Sequence, residues 1–172
     1  DPIPSRGLGD VYKRQKKCKA IQELEFAGSY RRGKETVGDL DVLVVSQAGP
    51  EVMDHFGEFT EIASVTVRGD TKMSVRTKKA FQIDLRVVPR ESFGAALAYF
   101  TGSKEHNVAL RGLAKQKQLR LSEWGVFDTS GEEEVYVSGQ TETEVYETLG
   151  LSWIPPESVS YTHLTLPTTL SV

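Results

Sequence analysis

Two segments, DLDVLVVS at residues 39–46 and AFQIDLRVVP at residues 80–89, restrict the fold more than anything else in the chain. The first alternates carboxylate and apolar at Asp39, Leu40 and Asp41 and then turns wholly apolar, as a strand does when its far end is buried. In the second, Phe81, Ile83, Leu85 and Val87 face one way and Gln82, Asp84 and Arg86 the other, until Pro89 ends the strand. Around them the chain predicts a strand ending at Phe26–Ala27, a turn at Gly28–Ser29, and a helix from Tyr30 that Gly38 breaks. Helical spacing follows at residues 51–59, then strands ASVTVRG and KMSVRT joined around Gly69–Asp70. A helix stopping at Gly102, another over residues 105–117, short strands at 124–127 and 134–137, and a helix over 143–149 complete the expectation. The expected class is α/β, a mixed sheet flanked by helices, followed from about Glu91 by a small α+β unit.

The two ends read differently. SRGLGDVYKRQ near the start and VSYTHLTLPTT near the finish resemble translated adaptors of transposase-based sequencing libraries. Residues 10–15 can be encoded by GAT GTG TAT AAG AGA CAG, whose reverse complement in another frame gives Val-Ser-Tyr-Thr-His, residues 159–163. The expected organisation is therefore a non-native tail over residues 1–15, a first domain over 16–90, a second over 91–157, and a non-native tail over 158–172.

Charge is segregated along the chain. The whole sequence has 21 Lys+Arg and 24 Asp+Glu, yet residues 123–157 contain nine acids and no Lys or Arg. Basic residues thus concentrate in the first part, a weak hint of a polyanionic partner, since such charge runs are more often solvated faces. Cys18 is the single cysteine, so an internal disulfide and a cysteine-based zinc site are excluded. No apolar run approaches the roughly 18 residues of a membrane span, and the expected location is the cytoplasm.

Asp39 and Asp41, two apart in a strand, offer their oxygens to one volume of space. Two carboxylates there repel, and a hard divalent cation relieves the repulsion; Mg²⁺ is commonly held by a few carboxylates with substrate phosphate oxygens. Asp84, the one acid on the polar face of its strand, could complete a two-metal clamp. On the residues alone, Asp84 serves equally as an edge-strand acid facing solvent or pairing with Arg86, and Asp39–Asp41 as a polar turn entering a strand. Gly28–Ser29 at a helix start supplies backbone N–H groups and a hydroxyl suited to phosphate, with Arg31 and Arg32 just beyond.

Four stretches in order, GSYRRGKETVGDLDVLV, FQIDLRVVP, YFTGSKEHNVALR and LSEWGVF, resemble the palm and thumb of family X DNA polymerases, the DNA polymerase beta group. The ending EVYETLGLSWIPPE is similar to the bacterial branch. The resemblance implies that Asp39, Asp41 and Asp84 bind two Mg²⁺ ions, with Mn²⁺ as the alternative metal, and that Asp84 lies nearest the primer 3′-hydroxyl. It implies triphosphate binding by Gly28, Ser29, Arg32 and Gly38. Tyr99, Phe100 and Gly102 would lie along the sugar, Lys104 over the base plane and Asn107 on the base from the minor-groove side, with Arg111 on the template strand. Lys72 is a candidate contact to the primer backbone, or a solvated lysine in a hairpin. Without the resemblance, Tyr99 and Phe100 read as core aromatics, Asn107 and Arg111 as a helix's outer face, and His106 as a surface histidine.

One departure stands out: the prototype of the family has arginine two residues before the third aspartate, and Gln82 stands here. The expected activity is DNA-directed DNA polymerisation in repair, with dNTP and primer-template or gapped DNA as partners, no membrane association and a monomeric state. N-terminal DNA-binding domains would be missing, and a C-terminal phosphoesterase domain is a usual continuation in bacterial relatives. A small-molecule nucleotidyltransferase shares Gly-Ser and D-x-D, though it gives no reason for YFTGSKEHNVALR. A non-catalytic DNA-binding remnant is the third reading.

Overall fold

The computed structural model describes residues 5–33 and 38–159 and divides into two units, residues 1–30 with 34–89 and residues 31–33 with 90–172. Residues 34–37 and 160–172, including the end of the helix expected after Tyr30 and most of the second adaptor-like tail, lie outside the description.

The first unit is built on five strands, β1 (Glu23–Ala27), β2 (Asp39–Val45), β3 (Ile62–Arg68), β4 (Lys72–Thr77) and β5 (Gln82–Val88), in the order β1-β2-β5-β4-β3. Among the described residues only β2 and β5 run parallel; the other pairs are antiparallel, so the sheet is mixed. Asp84 therefore sits on a central strand, and the edge-strand reading of it is set aside.

Side-chain alternation divides the sheet into two chemically distinct faces. Leu40, Val42 and Val44 of β2, Ile83, Leu85 and Val87 of β5, and Met73 and Val75 of β4 share one core. Helix α3 (Gly49–Gly57) adds Val52, Met53 and Phe56 to it, and helix α1 (Ser5–Lys16) adds Leu8 and Val11. The opposite face displays Asp39 and Asp41, then Gln82, Asp84 and Arg86, then Lys72, Ser74 and Arg76. Strand β3 is the outer edge; its hairpin with β4 has register shifts, and Val65 and Val67 are exposed. Helix α2 (Gly28–Arg31) is a single turn that starts at Gly28, two residues earlier than the sequence predicts.

Gln15 of α1 is fully buried, and neither atom of its side-chain amide has a hydrogen-bond partner among the described residues. An amide buried that way costs about 1–3 kcal/mol. It is an awkward residue for a helix face laid on an apolar core.

The second unit combines helices α4 (Phe93–Thr101), α5 (Lys104–Gln116) and α6 (Glu142–Thr148) with strands β6 (Leu119–Ser122), β7 (Gly125–Asp128) and β8 (Val135–Ser138). The strands form an antiparallel sheet in chain order. Its core holds Ala95, Leu110, Ala114, Leu121, Val126, Val145, Tyr146 and Leu149. Ser103 caps α5 by accepting from the His106 backbone N–H, and Thr141 caps α6 by accepting from that of Glu144. His106 is buried rather than at the surface, its ring nitrogen Nε2 lying 2.9 Å from the Tyr146 hydroxyl. Burial lowers the pKa of that imidazole to about 4 and raises that of the tyrosine hydroxyl, so the pair is neutral near pH 7.

Candidate active site

One cross-strand row organises the polar face of the first sheet. Ala27 of β1 pairs with Asp41 of β2, Asp41 with Asp84 of β5, and Asp84 with Ser74 of β4. Partners in adjacent strands stand about 5 Å apart and point to one side. Asp41 and Asp84 are therefore immediate neighbours, and Asp39, two residues upstream on the same face, is roughly 7 Å away along the strand.

The electrostatics agree with that placement. The Asp41 carboxyl titrates above its ordinary value, first because it is buried, then because Asp84 and Asp39 oppose its ionisation; Arg86 works in the other direction. The Arg86 guanidinium donates to Asp41 Oδ1 at 3.2 Å, placing a positive charge beside the accumulated acids. Arg86 thus engages Asp41, whereas Asp84 is held by neutral donors. Ser74 Oγ donates to Asp84 Oδ1 at 2.5 Å, and Gln82 Nε2 donates to Oδ1 at 2.9 Å and Oδ2 at 3.2 Å.

Gly28 closes the Asp41 side. Its φ of +69° is left-handed, and a Cβ added there would overlap Asp41 Oδ2. The glycine is required both for the backbone turn and for the close approach of the carboxylate. Ser29 follows it in α2, and Gly38, exposed, precedes Asp39. Lys72 is exposed on the same face of the sheet, next to Arg86 in register.

The donor set suits a hard divalent cation: carboxylate oxygens concentrated on one face, with a guanidinium already drawn to one of them. Among the described residues, however, no three His, Cys, Asp or Glu side chains are drawn into one metal-binding group. The structure brings Asp41 and Asp84 together; Asp39 stands at the exposed start of β2.

The remaining predicted residues belong to the second unit, around the end of α4 and the start of α5. The rings of Tyr99 and Phe100 meet edge to face with centroids 5.2 Å apart, and both residues are half-buried instead of lying in the core. Asn107 Nδ2 donates to the Tyr99 carbonyl at 2.7 Å, tying α5 back onto α4. Gly102 has φ +71°, and Arg32 Nη1 donates to the neighbouring Thr101 carbonyl at 2.6 Å. Lys104 and Arg111 are exposed on α5. Arg31, considered above as a phosphate ligand, is instead engaged by Glu142 at 2.6 and 2.9 Å and by Thr101 Oγ1 at 2.9 Å. The indole Nε1 of Trp153 donates to the same Glu142 carboxylate.

Sequence reasoning missed Ser74 and the carboxylate-holding role of Gln82. Their only sequence signal is the alternation that puts them on the acidic face, which becomes visible once β4 is known to pair with β5.

A mixed sheet with acids aligned across a parallel strand pair, entered from a Gly-Ser turn, has the form of a nucleotidyltransferase palm. Family models for the DNA polymerase beta palm and the DNA polymerase beta thumb match residues 9–67 and 96–158. The chain belongs to the family X DNA polymerases, as a palm and thumb segment. It is similar to the DNA polymerase/3'-5' exonuclease PolX of Bacillus subtilis, 42% identical over 140 residues, which cover 80% of this chain and 24% of the relative. DNA polymerase lambda of Rattus norvegicus is 32% identical over 158 residues, 75% of this chain and 27% of the relative. That of Arabidopsis thaliana is 29% identical over 162 residues, again 75% of this chain and 30% of the relative. The chain thus spans between about a quarter and a third of the length of these relatives.

Proposed function

We propose that this palm and thumb carry out DNA-directed nucleotidyl transfer: a primer 3′-hydroxyl attacks the α-phosphorus of a dNTP and pyrophosphate leaves, in the filling of repair gaps. One observation carries the reading above the others. Asp41 and Asp84 are register partners on adjacent parallel strands, with Asp39 two residues upstream on the same face and felt by Asp41.

Asp39, Asp41 and Asp84 would hold two Mg²⁺ ions, or Mn²⁺ in their place. When bound, the ions supply Lewis-acid stabilisation of charge on the attacking and leaving oxygens. Asp84 would take the 3′-hydroxyl proton; among the described residues its hydrogen bonds come from the neutral donors Ser74 and Gln82, which supports the reading. Gly28 and Ser29 present backbone N–H groups and a hydroxyl to the triphosphate, helped by Gly38 and by Arg32. Lys72, on the acid-bearing face, meets the primer backbone as a phosphate contact. Tyr99, Phe100 and Gly102 border the sugar, Lys104 and Asn107 the base, and Arg111 the template strand.

One N–H of the Asn107 amide goes to the Tyr99 carbonyl, which leaves its second N–H and its side-chain oxygen for the base. The test is Mg²⁺-dependent extension of a gapped primer by a full-length parent protein. Asp84→Ala should abolish it, and extension surviving that change would overturn the proposal.

A further inference from the structure

The structure assigns to Ser74, together with Gln82, the positioning of the Asp84 carboxylate: a pair of neutral donors that fixes its orientation and brings no charge of its own. The assignment rests on the catalytic reading of Asp84 given above and extends it to residues outside the carboxylate set.

Three observations converge. Ser74 is 4% exposed, on β4, and is the register partner of Asp84. Its hydroxyl donates to Oδ1 at 2.5 Å, in the range of a hydrogen bond to an ionised carboxylate. Gln82, two residues before Asp84 on β5, spans both oxygens at 2.9 and 3.2 Å. Oδ1 therefore receives two donors and Oδ2 one long one. An ionised carboxylate has about four acceptor positions, so the open capacity lies mainly on Oδ2.

The contrast with Asp41 explains why neutral donors matter. Asp41 receives a guanidinium from Arg86, and a metal ion arriving there competes with a fixed positive charge. Asp84 is held by groups that carry no charge, so its hydrogen-bond partners set its orientation without themselves competing as cations. A hydroxyl is a suitable tool because it adds no charge and, buried between strands, has little freedom to point elsewhere. Partners of metal-ligating side chains that hold their orientation are commonly worth 10–100-fold in metal affinity.

The experiment is an Mn²⁺ titration of the 172-residue chain by electron paramagnetic resonance, comparing wild type with Ser74→Ala, Gln82→Met, the double variant, Ser74→Thr and Asp84→Asn. Ser74→Ala and Gln82→Met are each expected to weaken binding about tenfold, the double variant more, while Ser74→Thr restores most of it because the hydroxyl returns. Far-UV circular dichroism and the unfolding midpoint accompany each variant. Gln82→Met changes a half-exposed residue and keeps the proposal testable should Ser74→Ala fold poorly. Wild-type affinity in folded Ser74→Ala and Gln82→Met, alongside its loss in Asp84→Asn, would overturn the positioning role alone. An Asp84→Asn protein that bound Mn²⁺ like wild type would overturn the metal reading itself.

Discussion

Replacing Gly28 by alanine tests the site at its tightest point. Two costs can be separated. The left-handed backbone at φ +69° penalises an L-residue by about 1–2 kcal/mol. The new methyl also overlaps Asp41 Oδ2, and the carboxylate must leave its position. That movement releases the Arg86 hydrogen bond, worth about 1 kcal/mol because both side chains remain about a quarter exposed. The total is about 2–3 kcal/mol. Gly150→Ala is the matched control: φ is +79°, and the nearest atom to a new Cβ is the flexible end of Lys117 at 3.5 Å, so only the backbone cost applies. Denaturant unfolding followed by far-UV circular dichroism measures both, while Trp124 and Trp153, both in the second unit, report by fluorescence on that unit alone. Gly28→Ala should lose about 1 kcal/mol more than Gly150→Ala and should also lose Mn²⁺ affinity, which the control retains. Equal destabilisation with intact Mn²⁺ binding in Gly28→Ala would refute the argument that the glycine exists to admit the Asp41 carboxylate.

Other consequences are as direct. His106 has a folded pKa near 4 against 6.5 unfolded, so its contribution is fully present above pH 6.5 and is lost as the pH falls towards 4. Tryptophan-detected unfolding of the second unit should therefore weaken by up to about 3 kcal/mol over that window, and His106→Asn should flatten the profile. Gln15→Leu should stabilise the first unit by about 1–3 kcal/mol in denaturant unfolding followed by far-UV circular dichroism, since it removes a buried amide that has no partner among the described residues. Glu142→Ala leaves the half-buried Arg31 guanidinium without its bidentate partner and should destabilise the second unit by about 2–3 kcal/mol in fluorescence-detected unfolding.

The polar and apolar faces of β5 were legible in the sequence because alternation at Phe81, Ile83, Leu85 and Val87 is uninterrupted. The parallel partnership of β2 with β5 was not, because nothing local to residues 39–45 names a partner more than forty residues away. Strand β6 escaped for a local reason: LRLS offers two leucines between an arginine and a serine, too short to separate from a loop. His106 looked like a surface residue because its neighbours Lys104, Glu105 and Asn107 are polar; its partner, Tyr146, comes from another helix. Arg31 and Arg32 are adjacent in sequence and indistinguishable by type, yet Glu142 takes the first. Ser74 had no reading at all, since a serine within a strand carries no signal until the strand beside it is known.

The most direct test of the central claim, that the acidic face of the first sheet is a divalent-cation site, is isothermal titration of Mg²⁺ and Mn²⁺ into the wild-type chain and into Asp41→Asn. The account predicts saturable binding by the wild type and its loss in the variant. Binding that is absent from the wild type, or unchanged in Asp41→Asn, would contradict it.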